Sequence, residues 1–283
     1  MSHASLPYRG RFGAVRPESL SGLALPPAAM PPRQRLRPLK AWRYVGVYGP
    51  ELMLCLAAVR IGPARQAFWA LWDREAGRLH ERTVIGRGPV ELGRGRALVR
   101  DRETEIILEL EETAGIETVC RSGATYAWTR KQGGIRARGT VRAGGRERRI
   151  QSRAVIDDTA AYYERHTRWR WSAGVGLARD GRELAWNLVS GVNDPPRDSE
   201  RTVWIAGEPA EPGPATFAED LSAVSVPGGE LRFAAEAVRA SDQNLVLIRS
   251  SYRQPFGTFS GRLPGGIELA EGYGVMEEHD VRW

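Results

Sequence analysis

Residues 167–194, TRWRWSAGVGLARDGRELAWNLVSGVND, constrain the fold more than any other part of the chain. The Asp180-Gly181 pair between alternating segments predicts a two-residue β-hairpin turn, because a tight turn of the mirror-image type needs positive φ and glycine supplies it. With the turn placed there, Leu177 pairs with Leu184, Val175 with Trp186, Ala173 with Leu188 and Trp171 with Ser190, giving one bulky apolar face. The other face pairs Gly176 with Ala185, Gly174 with Asn187, Ser172 with Val189 and Arg170 with Gly191. That face is small, so it invites the close approach of a second sheet, a backbone or a ligand. A one-residue slip would scramble this sorting, and the pattern predicts a well-specified register.

The same signature runs through the rest of the chain. WRYVGVYGPELMLCLAAVRIG reads as two strands about Gly49-Pro50, and QAFWALWDREAGRLHERTV as a hairpin around residues 75–77. Further strands are expected near 97–100, 105–110, 116–120, 125–129 and 135–141, then in ERTVWIAGE, PATFAE, ELRFAAEAVR, LVLIRSSYR and the closing TFSGRLPGGIELAEGYGVMEEHDVRW. Short strands at even spacing predict an all-β sandwich or barrel. One segment, 157–166 (DDTAAYYERH), reads as a helical turn between two halves, with Asp157 or Asp158 as its N-cap. Residues 1–39, rich in Pro, Arg and Gly, read as an extended arm ahead of a first β lobe (40–165) and a second (166–283). Each lobe opens on an aromatic-Arg-aromatic triplet, Trp42-Arg43-Tyr44 and Trp169-Arg170-Trp171, which hints at duplication.

Composition narrows the function classes. With 283 residues, 42% hydrophobic and 27% charged, the chain has the make-up of a soluble protein with a sizeable core. The net charge of +7 is carried almost wholly by arginines spread along the chain, with Lys40 and Lys131 the only lysines. No recognition motif accompanies the charge, so no nucleic-acid partner is expected. Cys55 and Cys120 stand alone in apolar settings and read as buried free thiols. The early run LSGLALPPAAMPP is broken by Pro26, Pro27, Pro31 and Pro32, a poor signal peptide, and no run approaches the roughly 18 apolar residues of a membrane span. A cytoplasmic location is the expectation.

The phrases WRWSAGVG (169–176), AWNLVSGVND (185–194), PFGTFSGRLPGG (255–266) and GYGVMEEHDVRW (272–283) resemble the bacterial family catalogued as domain of unknown function 2804. LPYRGRF, WRYVGVYGPELMLC and AWTRKQ extend the likeness over nearly the whole chain. More remotely, the layout is similar to hydroxyneurosporene synthase, AttH-like proteins and tocopherol cyclase. That resemblance implies two lipocalin-like (calycin-like) antiparallel β-barrels packed side by side, and proteins that bind or transform isoprenoids or other apolar molecules.

Candidate chemistry concentrates in two places. In the last strand, alternation puts Val275, Glu277, His279, Val281 and Trp283 on one face. A buried Glu277 has its pKa raised by desolvation and can donate a proton near neutrality, with His279 as its companion; the bland alternative is a strand ending in solvated charge or a barrel-closing salt bridge. After the central hairpin, Asn187 is expected on the small face pointing into a cavity, with Asp194 or Glu200 at its mouth; Asn193 and Asp194 are also candidate ligand-binding residues, or else turn formers. Trp171, Trp186, Tyr252 and Tyr273 complete the candidate ligand-binding set, as barrel filling or as a ligand-stacking wall, together with Arg170, to meet an anionic head group or to pair with a carboxylate across the lobe interface. Arg130 and Lys131 could greet an anionic head group. His80 and His166 lack companions at ligand spacing, and there is neither a phosphate loop nor a nucleophile elbow, so neither metal nor cofactor is expected. Three functions remain: binding of an apolar or amphipathic small molecule, such as a lipid or isoprenoid, in a β-barrel cavity; a cofactor-free hydratase, isomerase or cyclase; and a non-catalytic scaffold. A scaffold has plugged barrels, a binder an open apolar pocket, and an enzyme a buried unpaired carboxyl inside that pocket.

Overall fold

The computed structural model describes residues 5–244 and 249–283. Among them the regular elements are antiparallel strands and one short 3₁₀ turn, Glu18–Leu20, and no helix is long and apolar enough to cross a membrane. Part of the expected strand LVLIRSSYR, residues 245–248, lies outside the described residues.

The first sheet runs, edge to edge, through Arg78–Ile85, Ala64–Asp73, Leu52–Ile61, Lys40–Tyr48, Arg146–Ala161, Thr125–Ala143, Thr104–Leu110, Arg96–Asp101 and Val90–Gly93. Ile116–Ser122 branches off Thr125–Ala143 and pairs with Tyr8–Arg11 of the arm. The second runs through Glu208–Ala210, Thr202–Ile205, Glu183–Ser190, His166–Ala178, Ile267–Arg282, Arg249–Leu263, Gly229–Asn244, Ala223–Val226 and Thr216–Phe217. The wiring is the same in both. Each lobe begins with a four-stranded meander whose first strand, the one bearing the aromatic-Arg-aromatic triplet, pairs with the last strand of its lobe.

Each sheet curls around its own core. Trp69 and Leu71 on one side of the first sheet meet Val90 and Val99 on the other, and Trp69 and Arg82 both reach the buried Asp101 across the curl. In the second, Val203 meets Phe217 and Val224. The two curled sheets lie side by side, as expected for a lipocalin-like pair, and a third cluster (Tyr44, Tyr48, Met53, Cys55, Trp171, Val175, Trp204, Phe256, Val275) joins their outer faces. The arm crosses the first lobe and buries Leu20, Leu25, Met30 and Leu39 against Trp128 and Tyr162.

Two expectations are corrected. Residues 157–161 of the expected helical turn are the end of the strand Arg146–Ala161, because Asp157 and Asp158 find side-chain partners on neighbouring strands and cap no helix. The central hairpin closes one residue away from the expected register: Gly174 pairs with Trp186, Ala173 with Asn187 and Trp171 with Val189. Gly181, at φ +83°, donates its N–H to the Ala178 carbonyl, and the Ala178 N–H reaches the Arg182 carbonyl. This is a three-residue loop with glycine in the left-handed position, not a two-residue turn. Trp186 therefore lies over Gly174, where an added Cβ would stand 2.2 Å from the indole. The small residues serve to seat this ring inside the barrel.

Candidate functional site

Neither barrel interior holds the aromatic cavity that Glu277 and His279 reach. Val45, Leu56, Ile106 and Ile156 fill the first and Trp186, Leu188, Phe259 and Met276 the second. A cavity of about 190 Å³ lies instead between the lobes, lined by Trp42, Tyr44, Phe68, Trp169, Trp171 and Tyr252 among others. The reason is strand alternation: in Lys40–Tyr48 the odd residues Val45 and Val47 face the barrel, while Trp42 and Tyr44 face the other lobe. The expectation of an in-barrel cavity is corrected accordingly.

Glu277 and His279 reach this cavity from the last strand, whose pairing sets Glu277 opposite Trp171 and His279 opposite Trp169. The Glu277 carboxyl is buried and accepts hydrogen bonds from Trp169 Nε1, Tyr252 Oη and Gln254 Nε2, each at 2.8 Å. All three donors are neutral, and among the described residues no ion pair involves Glu277. Burial raises its pKa above the ordinary 4.5, against the lowering pull of Trp169, Tyr252 and Gln254. Two donors sit on Oε2 and one on Oε1, which leaves Oε1 the freer site for a proton. His279 is pushed down to about 3 by burial, so it is a neutral imidazole at physiological pH. It packs edge-on against Trp169 and Tyr252, and its Nε2 lies 2.7 Å from Ser250 Oγ.

The first lobe holds a counterpart. Asp157 pairs with Tyr44 as Glu277 pairs with Trp171, and Trp42 Nε1 donates to Asp157 at 3.1 Å as Trp169 donates to Glu277. The next residues repeat the correspondence, Arg43 with Asp158 and Arg170 with Glu278. The facing third-strand residues differ. Lys131 Nζ, opposite Asp157, holds that carboxylate at 2.6 Å and Glu200 at 3.2 Å, whereas Gln254 meets Glu277. Burial works against the Lys131 charge, but Asp157 and Glu200 together outweigh it and raise its pKa. Glu200 is raised by burial, with Lys131 pulling the other way. One carboxylate is neutralised by an ammonium; the other is not.

Among the remaining expected site residues, Trp171, Asn193 and Tyr252 line the same cavity. Others fall elsewhere. Asn187 is fully buried with its amide spent on Trp171 Nε1 and the Glu200 carbonyl, so it fixes the Trp171 ring and does not point into the cavity. Trp186 is in the second barrel core, donating to Ser172. Arg170 pairs with Glu278 on the opposite face of its strand. Asp194 caps the Gly191 N–H, and Tyr273 donates to Glu271 beneath Arg74. Arg130 spends its donors on the Thr113 and Ala114 carbonyls. Asp157, Tyr163, Trp169, Arg239 and Gln254 are site or supporting residues that sequence reasoning did not single out. The signal for Asp157 was present: the acidic pairs Asp157-Asp158 and Glu277-Glu278 stand in matching register to the two triplets. Among the described residues no cluster of three or more His, Cys, Asp or Glu side chains is arranged to hold a metal.

Two curled antiparallel sheets joined face to outer face, with duplicated wiring, define a two-lobed lipocalin-like protein. Residues 96–283 match the model of the family described as domain of unknown function DUF2804, and the chain belongs to that family. No curated protein matches it in sequence. Among solved structures, a putative AttH from Nitrosomonas europaea is 15% identical with a TM-score of 0.53, the match covering 90% of this chain and 98% of that one. Kievitone hydratase from Nectria haematococca is 14% identical with a TM-score of 0.54, over 84% of this chain and 88% of its own. At such identities the likeness shows a shared fold.

Proposed function

We propose that this protein binds an apolar or amphipathic small molecule in the cavity between its lobes and catalyses, without a cofactor, a proton-initiated reaction at a carbon–carbon double bond. The observation that carries this reading is Glu277: a buried carboxyl in an aromatic cavity, hydrogen-bonded by three neutral donors and in no ion pair among the described residues. A structural carboxylate is normally neutralised, as Asp157 is by Lys131. A raised pKa instead suits a general acid.

The step balances without a further reagent. The π electrons take the Glu277 proton, forming a C–H bond and leaving a carbocation on the neighbouring carbon. Trp42, Trp169, Trp171 and Tyr44 line the cavity, and aromatic rings of this kind stabilise a cation held against them. Capture by water, with its proton passing to the Glu277 carboxylate, gives hydration; loss of an adjacent proton to the same carboxylate gives isomerisation; capture by a second double bond, followed by loss of a proton from the new cation to that carboxylate, gives cyclisation. The hydratase named among the fold neighbours supports the first outcome by analogy alone. Lipid or isoprenoid ligands and a cytoplasmic location fit this reading.

The test is deuterium incorporation from D₂O into a panel of apolar alkenes and terpenoids. Wild type should label carbon. Glu277→Gln, which keeps the size of the group, should bind the same compounds with incorporation reduced by about 10²–10⁴-fold. Undiminished incorporation in Glu277→Gln would remove Glu277 as the acid.

A further inference from the structure

The cavity wall carries a buried cation that the fold leaves short of acceptors. Arg239, on the strand Gly229–Asn244, is 3% exposed and lines the cavity, its guanidinium carbon 4.0 Å from the ring centroid of Phe68 and 4.9 Å from that of Tyr252. A guanidinium has N–H groups on all three of its nitrogens. Among the described residues, its hydrogen bonding is confined to Nη2, which donates to Thr83 Oγ1 at 2.7 Å. Glu81 Oε2 stands 3.5 Å from Nε as an ion pair without a hydrogen bond, and 37% of that side chain is exposed, so water weakens the pair. Other buried arginines are better served: Arg130 donates to the Thr113 and Ala114 carbonyls, and Arg201 to those of Asp194 and Pro195. Of the Arg239 nitrogens only Nε is both unpaired and sealed from solvent, so Nη1, unpaired among the described residues, keeps open surface.

The other charges in the wall decide what that open surface suits. Lys131 is matched by Asp157 and Glu200. Among the described residues, no carboxylate of the cavity lining pairs with Arg239, whose partner Glu81 lies outside the lining, or with Arg65 at the exposed rim. We infer that Arg239 anchors the carboxylate of an apolar carboxylic acid, through Nη1, with the hydrocarbon body against the aromatic wall. A carboxylate gives a buried guanidinium the charge-assisted hydrogen bonds it lacks. Its single negative charge is also what one guanidinium offsets, whereas a diphosphate brings more charge than this wall neutralises. Tyr252 joins the anchor to the proposed acid: its ring packs against Arg239, and its hydroxyl donates to Glu277 at 2.8 Å. This rests on the reading of the cavity as a ligand site and adds the class of ligand. Size sets a further limit: a dry cavity of roughly 150 Å³ takes up benzene, so about 190 Å³ encloses one ring or a short terpenoid skeleton, with longer chains emerging at the rim.

The probes are geranic acid, geraniol and geranyl diphosphate, which share a hydrocarbon skeleton and differ in the head group. Affinity is read at pH 7 from the quenching of tryptophan fluorescence. Wild type should bind geranic acid about 10- to 100-fold more tightly than geraniol, the range for a hydrogen bond to a charged group, and geranyl diphosphate more weakly than geranic acid. Arg239→Gln should bind geranic acid no better than geraniol, with its geraniol affinity near that of wild type reporting an intact cavity. Thr83→Val removes the tie between Arg239 and the first lobe and leaves the guanidinium in place, so it should keep the preference for the acid. Geranic acid binding wild type no more tightly than geraniol, a preference for the acid that survives in Arg239→Gln, or tightest binding of the diphosphate would each overturn the carboxylate anchor while leaving the cavity a ligand site. Failure of all three probes to bind would overturn the cavity reading and the anchor with it. The comparison of probes on wild type stands whether or not the variants fold.

Discussion

At the scale of single residues, the contrast between Asp157 and Glu277 is the informative one. Both are carboxylates buried on the outer face of a lobe, each held by the tryptophan that opens its triplet. Only Asp157 has an ammonium. The pH dependence of stability follows from the shifts. Glu277 titrates higher in the folded than in the unfolded chain, so the folded state holds more protons and stability falls as pH rises from 4.5 through the raised value. His279 runs the other way: folded at about 3 against an ordinary 6.5, it contributes stability that is present above 6.5 and lost as pH falls towards 3. Urea midpoints measured across this range should show Glu277→Gln losing the first slope and His279→Asn the second, the latter amounting to about 1.4 kcal/mol per pH unit at most. Parallel profiles for wild type and both variants would mean that these groups are not desolvated.

At the scale of elements, the central hairpin shows what sequence pattern conveys and what it omits. The hairpin itself, its turn residues and the strands about Gly49-Pro50 were legible from alternation and glycine placement, and so was the presence of Glu277 and His279 on one face. The register was not, because Asp-Gly serves both two-residue and three-residue loops, and the choice lies in hydrogen bonds that composition does not reveal. One slipped residue pairs Trp186 with Gly174 and turns the small face from a ligand wall into a seat for an indole. Gly174→Ala tests this: its Cβ would meet the Trp186 ring at 2.2 Å and the Tyr273 carbonyl at 2.7 Å. It should destabilise by about 1–3 kcal/mol or more in denaturant unfolding. No loss would place the ring elsewhere. The site's location was equally hidden, since Lys131, Asp157, Glu200 and Glu277 come together only when two lobes dock.

At the scale of the whole molecule, two copies of one wiring pattern have been used differently. Filled barrels provide rigidity, and the outer faces, normally the wet side of a barrel, are apolar where they meet. The same packing buries both cysteines, with Cys55 in the junction against Gln254 and Cys120 beneath the loop at Asp198. Burial pushes both thiols up to about 12, so native protein should resist Ellman's reagent and release two reactive thiols per chain only on unfolding. Fast labelling of either thiol in the native state would mean that the lobes open.

The central claim is that Glu277 is a desolvated acid in a ligand cavity, and it can be measured before any substrate is known. Infrared titration of the carboxyl band present in wild type and missing from Glu277→Gln isolates this one group. The account predicts a midpoint above 4.5 that moves when an apolar ligand enters the cavity. A midpoint at or below 4.5, indifferent to ligand, would make Glu277 an ordinary structural carboxylate and contradict the account.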